Sequence, residues 1–386
     1  MINSSERILA PDLARGLMLG LIAVANIMIY LTGRPYGYRG HVIESDAVDR
    51  IASTLVVTFV DGRGFPLFAF LFGYGLVQFA ARRGDESGRL ARRRSLILIA
   101  IGAGHAILLF PGDILGWYGV VGLIIVVLRR VGNTGLMIIA AAWLLPAATV
   151  AGLIYGSTDV SDGRAFLWSF ELGHEPSSYL LRAGEWLMTP MALLPVLSAA
   201  LTGVVAARLR ILEEPDRHRL LLRRVAVAGI ALAVAGGLPS GLAVAGWIAL
   251  DQPAGYVLAT VHALTGVAGG LGYAAAFGLL ALAVHRLRNR ASRVVVGAIT
   301  AAGRRSLSLY LGQSVLFVLL VSHRGLGLAD HLGTAAAVGL ALGVWLAGVV
   351  AADRLARAGR AGPAEWAVRR LLYRDAAPRA GAGVSH

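Results

Sequence analysis

The sequence has no cysteine and no lysine among its 386 residues, and few of its residues are charged. Without cysteine, disulfides, thiolate catalysis and cysteine-ligated metals are excluded. All 36 basic residues are arginine, which we interpret as a compositional bias of the genome. Charged residues make up 15% of the chain, against roughly 25% in an ordinary soluble domain. A soluble globular protein is therefore not expected.

The signatures of soluble enzymes are missing as well. The chain has no Walker loop, and the glycines near position 271 do not follow a strand, so no nucleotide or dinucleotide site of those types is predicted. No HExxH or paired His/acid spacing indicates a metal site, so we predict no metal.

Long apolar runs are what the sequence has in abundance, with 57% hydrophobic residues. A helix needs about 20 apolar residues to cross a bilayer. Ten runs approach that length, at about 10–31, 64–81, 93–110, 114–129, 134–155, 188–207, 225–250, 256–284, 304–322 and 334–352. The sequence therefore predicts an all-α, polytopic integral membrane protein with about ten transmembrane helices.

The runs divide the chain into four parts. We predict an N-terminal transmembrane half over 1–155, an extracytoplasmic loop over 156–187, a C-terminal transmembrane half over 188–375 and a flexible tail over 376–386. The weaker apolar piece Ile51–Val60 is interpreted as an interfacial or re-entrant helix. The loop 156–187 fits either a lid that binds an acceptor or an ordinary connection.

Arginine is distributed unevenly between the two sides of this ten-span arrangement. One side holds 29 of the 36 arginines and 10 of the 22 acidic residues. Since basic residues concentrate in cytoplasmic loops, both termini are predicted in the cytoplasm. The net charge of +14 is then a matter of topology, so the expected partner is the lipid bilayer and not a nucleic acid.

Two ionisable residues flank a short turn between the third and fourth spans, in the stretch GHAILLFPGDILGWYG. His105 lies near the end of one span and Asp113 near the start of the next. Ionisable groups at membrane depth are costly and usually functional. The alternatives are a packed core histidine and an aspartate that only caps a helix.

The first span carries a polar stripe made of Asp12, Arg15 and Asn26. Asp12 and Arg15 are three residues apart and can pair, and Asn26 follows Arg15 by about three turns. This stripe fits either a path through the membrane or a helix-packing surface.

Further polar candidates lie elsewhere in the chain. His41 is in an outer loop, where a histidine is often incidental. In the ninth span Ser306, Tyr310 and Gln313 share one helix face.

Six stretches in a fixed order resemble the YeiB-like bacterial membrane family, whose C-terminal half is a domain of unknown function. They are PDLARGLMLGLIAVANI, FPLFAFLFGYG, GHAILLFPGDILGWYGVVGLI, TGVVAARLRIL, AAGRRSLSLYLGQSV and GPAEWAVRRLLYR. The resemblance implies a multi-pass protein of the bacterial plasma membrane.

That family is similar in its first half to a superfamily of transmembrane acyltransferases, which includes the lysosomal heparan glucosaminide acetyltransferase. The resemblance implies a cytoplasmic acyl-CoA donor, such as acetyl-CoA, and an acceptor outside. It places Asp12, Arg15, Gly16 and Asn26 on the superfamily's first-span motif. The surface-polysaccharide O-acyltransferase branch has a histidine where this chain has Asn26.

The leading hypothesis is an acyltransferase that acylates an outward-facing hydroxyl or amine of a sugar, lipid or cell-envelope molecule. A neutral imidazole suits the base. His105, oriented by Asp113, is the first candidate and His41 the second, with Asp12, Arg15 and Asn26 expected on the donor side. Direct transfer and an acyl-imidazole intermediate both remain open.

Two other hypotheses fit the same residues. One is a proton-coupled transporter of a small solute, and the other is a structural protein whose polar residues only pack helices. A homodimer is one option for the assembly.

Overall fold

The computed structural model describes residues 9–81, 87–164, 167–170, 172, 177–285, 290–323 and 325–373. The tail predicted over 376–386 lies outside these residues. The helices of the described part are α1 (Leu9–Tyr30), α2 (Ala47–Phe59), α3 (Gly64–Ala81), α4 (Ser87–Leu108), α5 (Leu115–Val127), α6 (Asn133–Tyr155), α7 (Ser177–Leu193), α8 (Val196–Arg208), α9 (Arg219–Val244), α10 (Gln252–His285), α11 (Arg290–Arg304), α12 (Ser306–Leu320), α13 (Thr334–Arg357) and α14 (Pro363–Leu372).

β-structure is limited to two isolated bridges within the described part of the chain, from Tyr36 to Val42 and to Ser161. The predicted all-α class is therefore confirmed. This is the outcome expected of apolar segments that must satisfy their own backbone hydrogen bonds.

Within the described part of the chain, six helical segments are long and apolar enough to cross a membrane: Ala10–Tyr30, Ala47–Ala81, Asn133–Tyr155, Arg219–Val244, Gln252–Val284 and Thr334–Arg357. Two shorter apolar helices, α8 and α12, accompany them. The predicted spans at α4 and α5 fall short of this standard. Arginines fill the first turns of α4, and α5 has only 13 residues. The count of ten spans stays a prediction.

The prediction of one continuous helix over 188–207 is wrong. Helix α7 ends at Leu193, and α8 begins at Val196 after a break. Pro195 precedes α8 and has no backbone N–H, so it cannot continue the hydrogen-bonding pattern of a preceding helix. Helix α7 also begins inside the segment predicted as a loop, at Ser177.

A break between α2 and α3 brings charged residues into the bundle. The predicted helix near Ile51–Val60 is present as α2, and its N-terminus is capped by the Asp46 carboxylate. The turn Asp61–Arg63 follows, with Gly62 at φ +72°. Glycine adopts this left-handed conformation without the steric cost that other residues meet.

Helix α1 runs through the centre of the bundle. It packs against α3, α10, α11, α12 and α13. Its side chains Leu13, Met18, Leu19 and Ile22 are at most 1% exposed. Helices α4 and α5 pack along each other as a hairpin beside α3. This arrangement places the turn between α4 and α5 next to α12.

Candidate active site

The turn between α4 and α5 holds His105 and Asp113 in direct contact. The Nδ1 atom of His105 lies 2.7 Å from Oδ1 of Asp113. Their side chains are 1% and 0% exposed. His105 belongs to the last turn of α4, whose end is closed by the amides of Leu109 and Phe110, both bonded to the His105 carbonyl. His105 and Asp113, which the sequence predicts near one turn, therefore form a buried contact in the structure.

Asp113 serves two purposes at once. Its Oδ2 atom accepts a hydrogen bond of 2.8 Å from the amide of Gly116 in the first turn of α5. A carboxylate at the N-terminus of a helix also interacts favourably with the helix dipole. The capping role considered for Asp113 therefore coexists with its contact to His105. The Tyr310 hydroxyl donates to Oδ1 at 3.5 Å, a long hydrogen bond.

The other imidazole nitrogen of His105 is free. Nε2 is buried and has no hydrogen-bond partner among the described residues. The rings of Tyr310 and Phe110 have their centroids 5.1 and 6.2 Å from the imidazole. An ionised Asp113 can only accept, so in the neutral imidazole Nδ1 carries the proton and Nε2 presents a lone pair. This is the tautomer that a general base requires.

A cavity of about 860 Å³ lies beside the pair. It is within the range of roughly 300–1,000 Å³ that small-molecule sites occupy. Tyr310 and Ile114 line it, and Ile114 follows Asp113 directly in the chain. Tyr310 therefore stands between the cavity and the His–Asp contact.

The cavity wall is strongly basic, so we call this space the basic cavity. Its arginines are Arg15, Arg94, Arg304, Arg305 and Arg369, and its acidic residues are Asp12 and Glu365. It lies at the end of the bundle where α1 begins and α13 ends. Arginine guanidinium groups can hold phosphate through two parallel hydrogen bonds, so the wall suits a phosphate-bearing ligand.

Arg94 presents a free donor in this wall. Its guanidinium carbon lies 5.4 Å from the Phe72 ring centroid and 5.9 Å from that of Phe79. Its Nη1 atom is buried without a hydrogen-bond partner among the described residues. A guanidinium held by two aromatic rings keeps its donors available for a ligand.

Both acidic residues of the cavity wall already have partners within the protein. Asp12 contacts Arg15 at 3.3 Å and Arg304 at 3.1 Å, so the pair predicted from their spacing is present and extends to α11. Glu365 of α14 accepts from the amides of Leu307 and Ser308 at 2.9 and 3.1 Å. Asp12 thus links α1 to α11, and Glu365 links α14 to the start of α12.

Other predicted polar residues are only partly brought together. Ser306 and Tyr310 both line the cavity. Gln313 is buried instead, and its Nε2 donates to the Leu19 carbonyl at 3.3 Å. Asn26 is 4% exposed, and its Oδ1 has no hydrogen-bond partner among the described residues. The structure does not join Asn26 to His105.

His41, the second candidate base, belongs to a different group of residues. We call this group, made of Arg39, His41, Asp61, Arg63 and His262, the Asp61 cluster. Asp61 contacts Arg39 at 2.8 Å, His41 at 3.7 Å and His262 at 3.8 Å. Arg63 is fully buried and approaches the His262 ring to 2.5 Å. Arg39 adopts a left-handed backbone with φ 61°, which is strained for a residue with a Cβ.

The segment after α6 packs over the His–Asp contact. Phe170 lies 6.1 Å from Phe110, the ring beside His105. Glu185 holds this segment through the amide and hydroxyl of Ser169, at 2.8 and 2.5 Å. Burial raises the pKa of Glu185 above its ordinary value, although these hydrogen bonds oppose the shift.

Sequence reasoning missed most of the basic cavity. From the sequence, Arg94, Arg305 and Arg369 are expected only to mark the cytoplasmic side of the membrane. Arg94 begins an apolar run, and a charge in that position is the signal that was available. The closeness of Asp61 and His262 has no signal at all in the sequence, because 200 residues separate them. Among the described residues no group of histidine and acidic side chains is arranged to hold a metal ion.

The fold and the site together define a helical protein with several potential membrane spans and a buried His–Asp contact beside a basic cavity. Residues 206–375 match the model of a protein family of unknown function, DUF418. The uncharacterized protein YxaH of Bacillus subtilis (strain 168) is 25% identical, over 96% of this chain and 95% of its own. The uncharacterized protein YeiB of Escherichia coli (strain K12) is 30% identical, over 81% and 82%.

A third relative, an uncharacterized 39.9 kDa protein encoded in the amylase 3′ region of Bacillus acidopullulyticus, is 35% identical over 32% of this chain and 34% of its own. The likeness to YeiB extends over most of both chains. The chain therefore belongs to the YeiB-like family.

Proposed function

We propose that this protein is a transmembrane acyltransferase. It moves an acyl group from a cytoplasmic acyl-CoA to a hydroxyl or amine on the other side of the membrane. The observation that carries the proposal is the basic cavity that reaches Tyr310 and Ile114, the neighbours of the buried His105–Asp113 contact. A phosphate-binding wall at one end and a base near the other are the two requirements of this reaction.

In this mechanism the cavity holds the donor. Arg94 and Arg305 bind phosphate groups of the CoA moiety, and Arg15 contributes from α1. Apolar side chains, which include Phe68 and Leu98, also line the cavity. An acyl thioester that extends along this path brings its carbonyl carbon toward Tyr310 and His105.

His105 supplies the proton transfer. Nε2 takes the proton of the acceptor hydroxyl or amine while the acceptor atom attacks the thioester carbonyl. Asp113 holds the imidazole and stabilises the imidazolium that forms. The C–S bond of the tetrahedral intermediate then breaks, and the proton passes to the departing thiolate of CoA. The Tyr310 side chain must move for donor and base to meet.

We propose an orientation that fits this chemistry. The protein crosses the bacterial plasma membrane ten times, with both termini in the cytoplasm. The six long apolar segments, together with α4, α5, α8 and α12, make up the ten crossings. The basic cavity then opens where cytoplasmic acyl-CoA is present.

Thiol release is the direct test. The full chain in lipid nanodiscs is mixed with acetyl-CoA or longer acyl-CoAs, with water as the acyl acceptor in place of the natural one. The CoA released is measured with a thiol reagent, to which the cysteine-free chain contributes nothing. His105→Ala should keep donor binding and lose turnover by about 100-fold or more, as general-base catalysis contributes 10²–10⁴-fold. The matched control His331→Ala changes an exposed histidine and should retain turnover.

Arg94→Gln tests the donor site in the same assay. Loss of one phosphate contact should weaken acyl-CoA binding about tenfold, equivalent to about 1.4 kcal/mol. Arg217→Gln changes an arginine that is 78% exposed and should not alter binding. If no acyl-CoA binds to the unmodified chain, the acyltransferase proposal is wrong.

A second candidate function is a proton-coupled carrier of a small solute. The Asp61 cluster favours it, since histidine and aspartate side chains within a membrane protein are what proton relays use. In proteoliposomes with an entrapped pH-sensitive dye, a carrier would move protons with its solute, and Asp61→Asn would abolish that movement. An acyltransferase would lose little turnover through the same change.

A further inference from the structure

Helix α14 has two different faces. Val368 and Leu372 are 9% and 4% exposed and line the basic cavity. The opposite face carries Trp366 and Leu371, which are 56% and 44% exposed. A short helix beyond the last long apolar segment thus displays two large apolar side chains outward.

Arg370 lies on this apolar face, and further basic side chains occupy the same stretch of the chain. The Arg370 guanidinium lies 5.4 Å from the Trp366 ring centroid, on the exposed side of α14. Over residues 353–373 the chain has five arginines and two acids. Arg354, Arg357 and Arg360 in that stretch are exposed.

Tryptophan beside arginine is the combination found where proteins meet the headgroups of a bilayer. The indole is amphipathic and settles at the membrane–water boundary, and each basic residue near an anionic surface contributes about 1 kcal/mol of attraction. Because α14 follows α13, a helix long and apolar enough to cross the membrane, its position at that boundary is fixed by a linker of only five residues, 358–362.

We infer that the exposed face of α14 binds the surface of an anionic phospholipid bilayer, with Trp366 and Leu371 inserted among the headgroups and Arg370 paired with lipid phosphate. This site is separate from the proposed acyl transfer and requires no acyl-CoA. Its structural consequence is that one helix has lipid on one side and the basic cavity on the other.

Site-specific labels test this directly, because the chain has no native cysteine. Trp366→Cys and Leu371→Cys are each labelled with an environment-sensitive fluorophore in the full-length chain. The control label is at Arg217→Cys, in the turn before α9. The labelled chains are placed in nanodiscs of phosphatidylcholine, with or without phosphatidylglycerol.

At positions 366 and 371, a lipid carrying a shallow spin-label quencher should reduce fluorescence by at least half, and aqueous iodide should quench at least threefold less than at 217. Phosphatidylglycerol should strengthen the lipid quenching, and Arg370→Gln should remove that gain at position 371.

Two results would overturn the inference. One is iodide quenching at 366 and 371 equal to that at 217, which would put this face in water. The other is shielding from iodide without lipid quenching and only in discs that hold two copies, which would assign the face to a second copy of the chain. Monodisperse behaviour of each labelled variant establishes that it has folded.

Discussion

At the scale of single residues, the chemistry depends on which atom of each polar group remains free. His105 uses Nδ1 for Asp113 and keeps Nε2 free, while Arg94 keeps Nη1 free beside two phenyl rings. Asn26 and Gln313 also keep a buried oxygen without a partner in the described part of the chain. A buried polar atom left without a partner is costly, so the free Nε2 of His105 and the free Nη1 of Arg94 are informative.

Tyr310 provides the sharpest residue-scale prediction. Its hydroxyl donates to Asp113 and its side chain lines the basic cavity. Tyr310→Phe should lower the turnover of acyl-CoA about fivefold, since it removes a hydrogen bond worth about 1 kcal/mol to a group that positions the base. Donor binding should stay unchanged, as measured by the thiol assay and by equilibrium binding.

Tyr118→Phe is the matched control for this prediction. The Tyr118 hydroxyl donates to the Phe65 carbonyl at 2.8 Å, and Tyr118 does not line the basic cavity. Its loss should lower the thermal midpoint and leave turnover intact. Equal loss of turnover in both variants would show that Tyr310 has only a structural role.

At the scale of elements, the α4–α5 hairpin positions the site through close helix packing. Gly102 of α4 lies against Gly116 of α5, and a methyl group at position 102 would also come within 2.5 Å of Oδ2 of Asp113. Only the absence of a side chain there permits the helices to approach while Asp113 caps α5.

We therefore expect Gly102→Ala to destabilise the protein by about 1–3 kcal/mol through overpacking. It should also displace Asp113 and lower turnover. Unfolding in mixed micelles, followed by circular dichroism, measures the first effect, and the thiol assay measures the second.

Gly104→Ala, two residues away, is the control. A methyl group there would meet no atom within 4 Å. Alanine is the better helix former by roughly 0.5–1 kcal/mol, so this variant should be as stable as the unmodified chain or slightly more stable. If both variants behave alike, the packing argument for α4 and α5 is wrong.

At the scale of the whole molecule, the distribution of charge is the basis of the proposed orientation in a membrane. Basic residues gather at the end where α1 begins and α13 ends, and the basic cavity lies at that end. The proposed topology and the proposed donor binding thus rest on the same asymmetry. The arginine-rich loops and the proposed donor site therefore lie at the same end of the bundle.

Membrane-impermeant maleimide tests the proposed orientation. Asp159→Cys should react in intact spheroplasts, and Arg217→Cys only after lysis, because the two positions lie on opposite sides of the membrane in the ten-span arrangement. Both residues are exposed. Reaction of both from the same side would mean an even number of crossings between them and would refute the arrangement.

Much of the architecture can be predicted from sequence because apolar length is a local property. The bounds of α3 and the helical character of α1, α6, α9, α10 and α13 follow from runs of apolar residues. The helices α11 and α14 were not predicted, since their alternation of arginine and apolar residues resembles a solvated loop. The break before α8 has a local signal in Pro195, which the prediction of one continuous helix over 188–207 does not use.

The candidate site was predictable only where its residues lie close in the chain. His105 and Asp113 are eight residues apart on either side of a short turn, so their contact follows from sequence. The membership of Tyr310 in the same site depends on α12 packing beside the hairpin. His41 was ranked as an alternative base, whereas its contacts are with Asp61.

Local composition and spacing suffice to predict that the chain is helical and apolar, that its charge is asymmetric, and that a histidine and an aspartate lie close together at one turn. All of these depend on residues near one another or on sums over the chain. The tertiary structure is needed to show that arginines of α1, α4, α11 and α14, together with Arg305 between α11 and α12, form one cavity beside that turn. The physical reason is that side chains on separate helices converge only through long-range packing, which depends on shape complementarity between surfaces and not on the composition of any one segment.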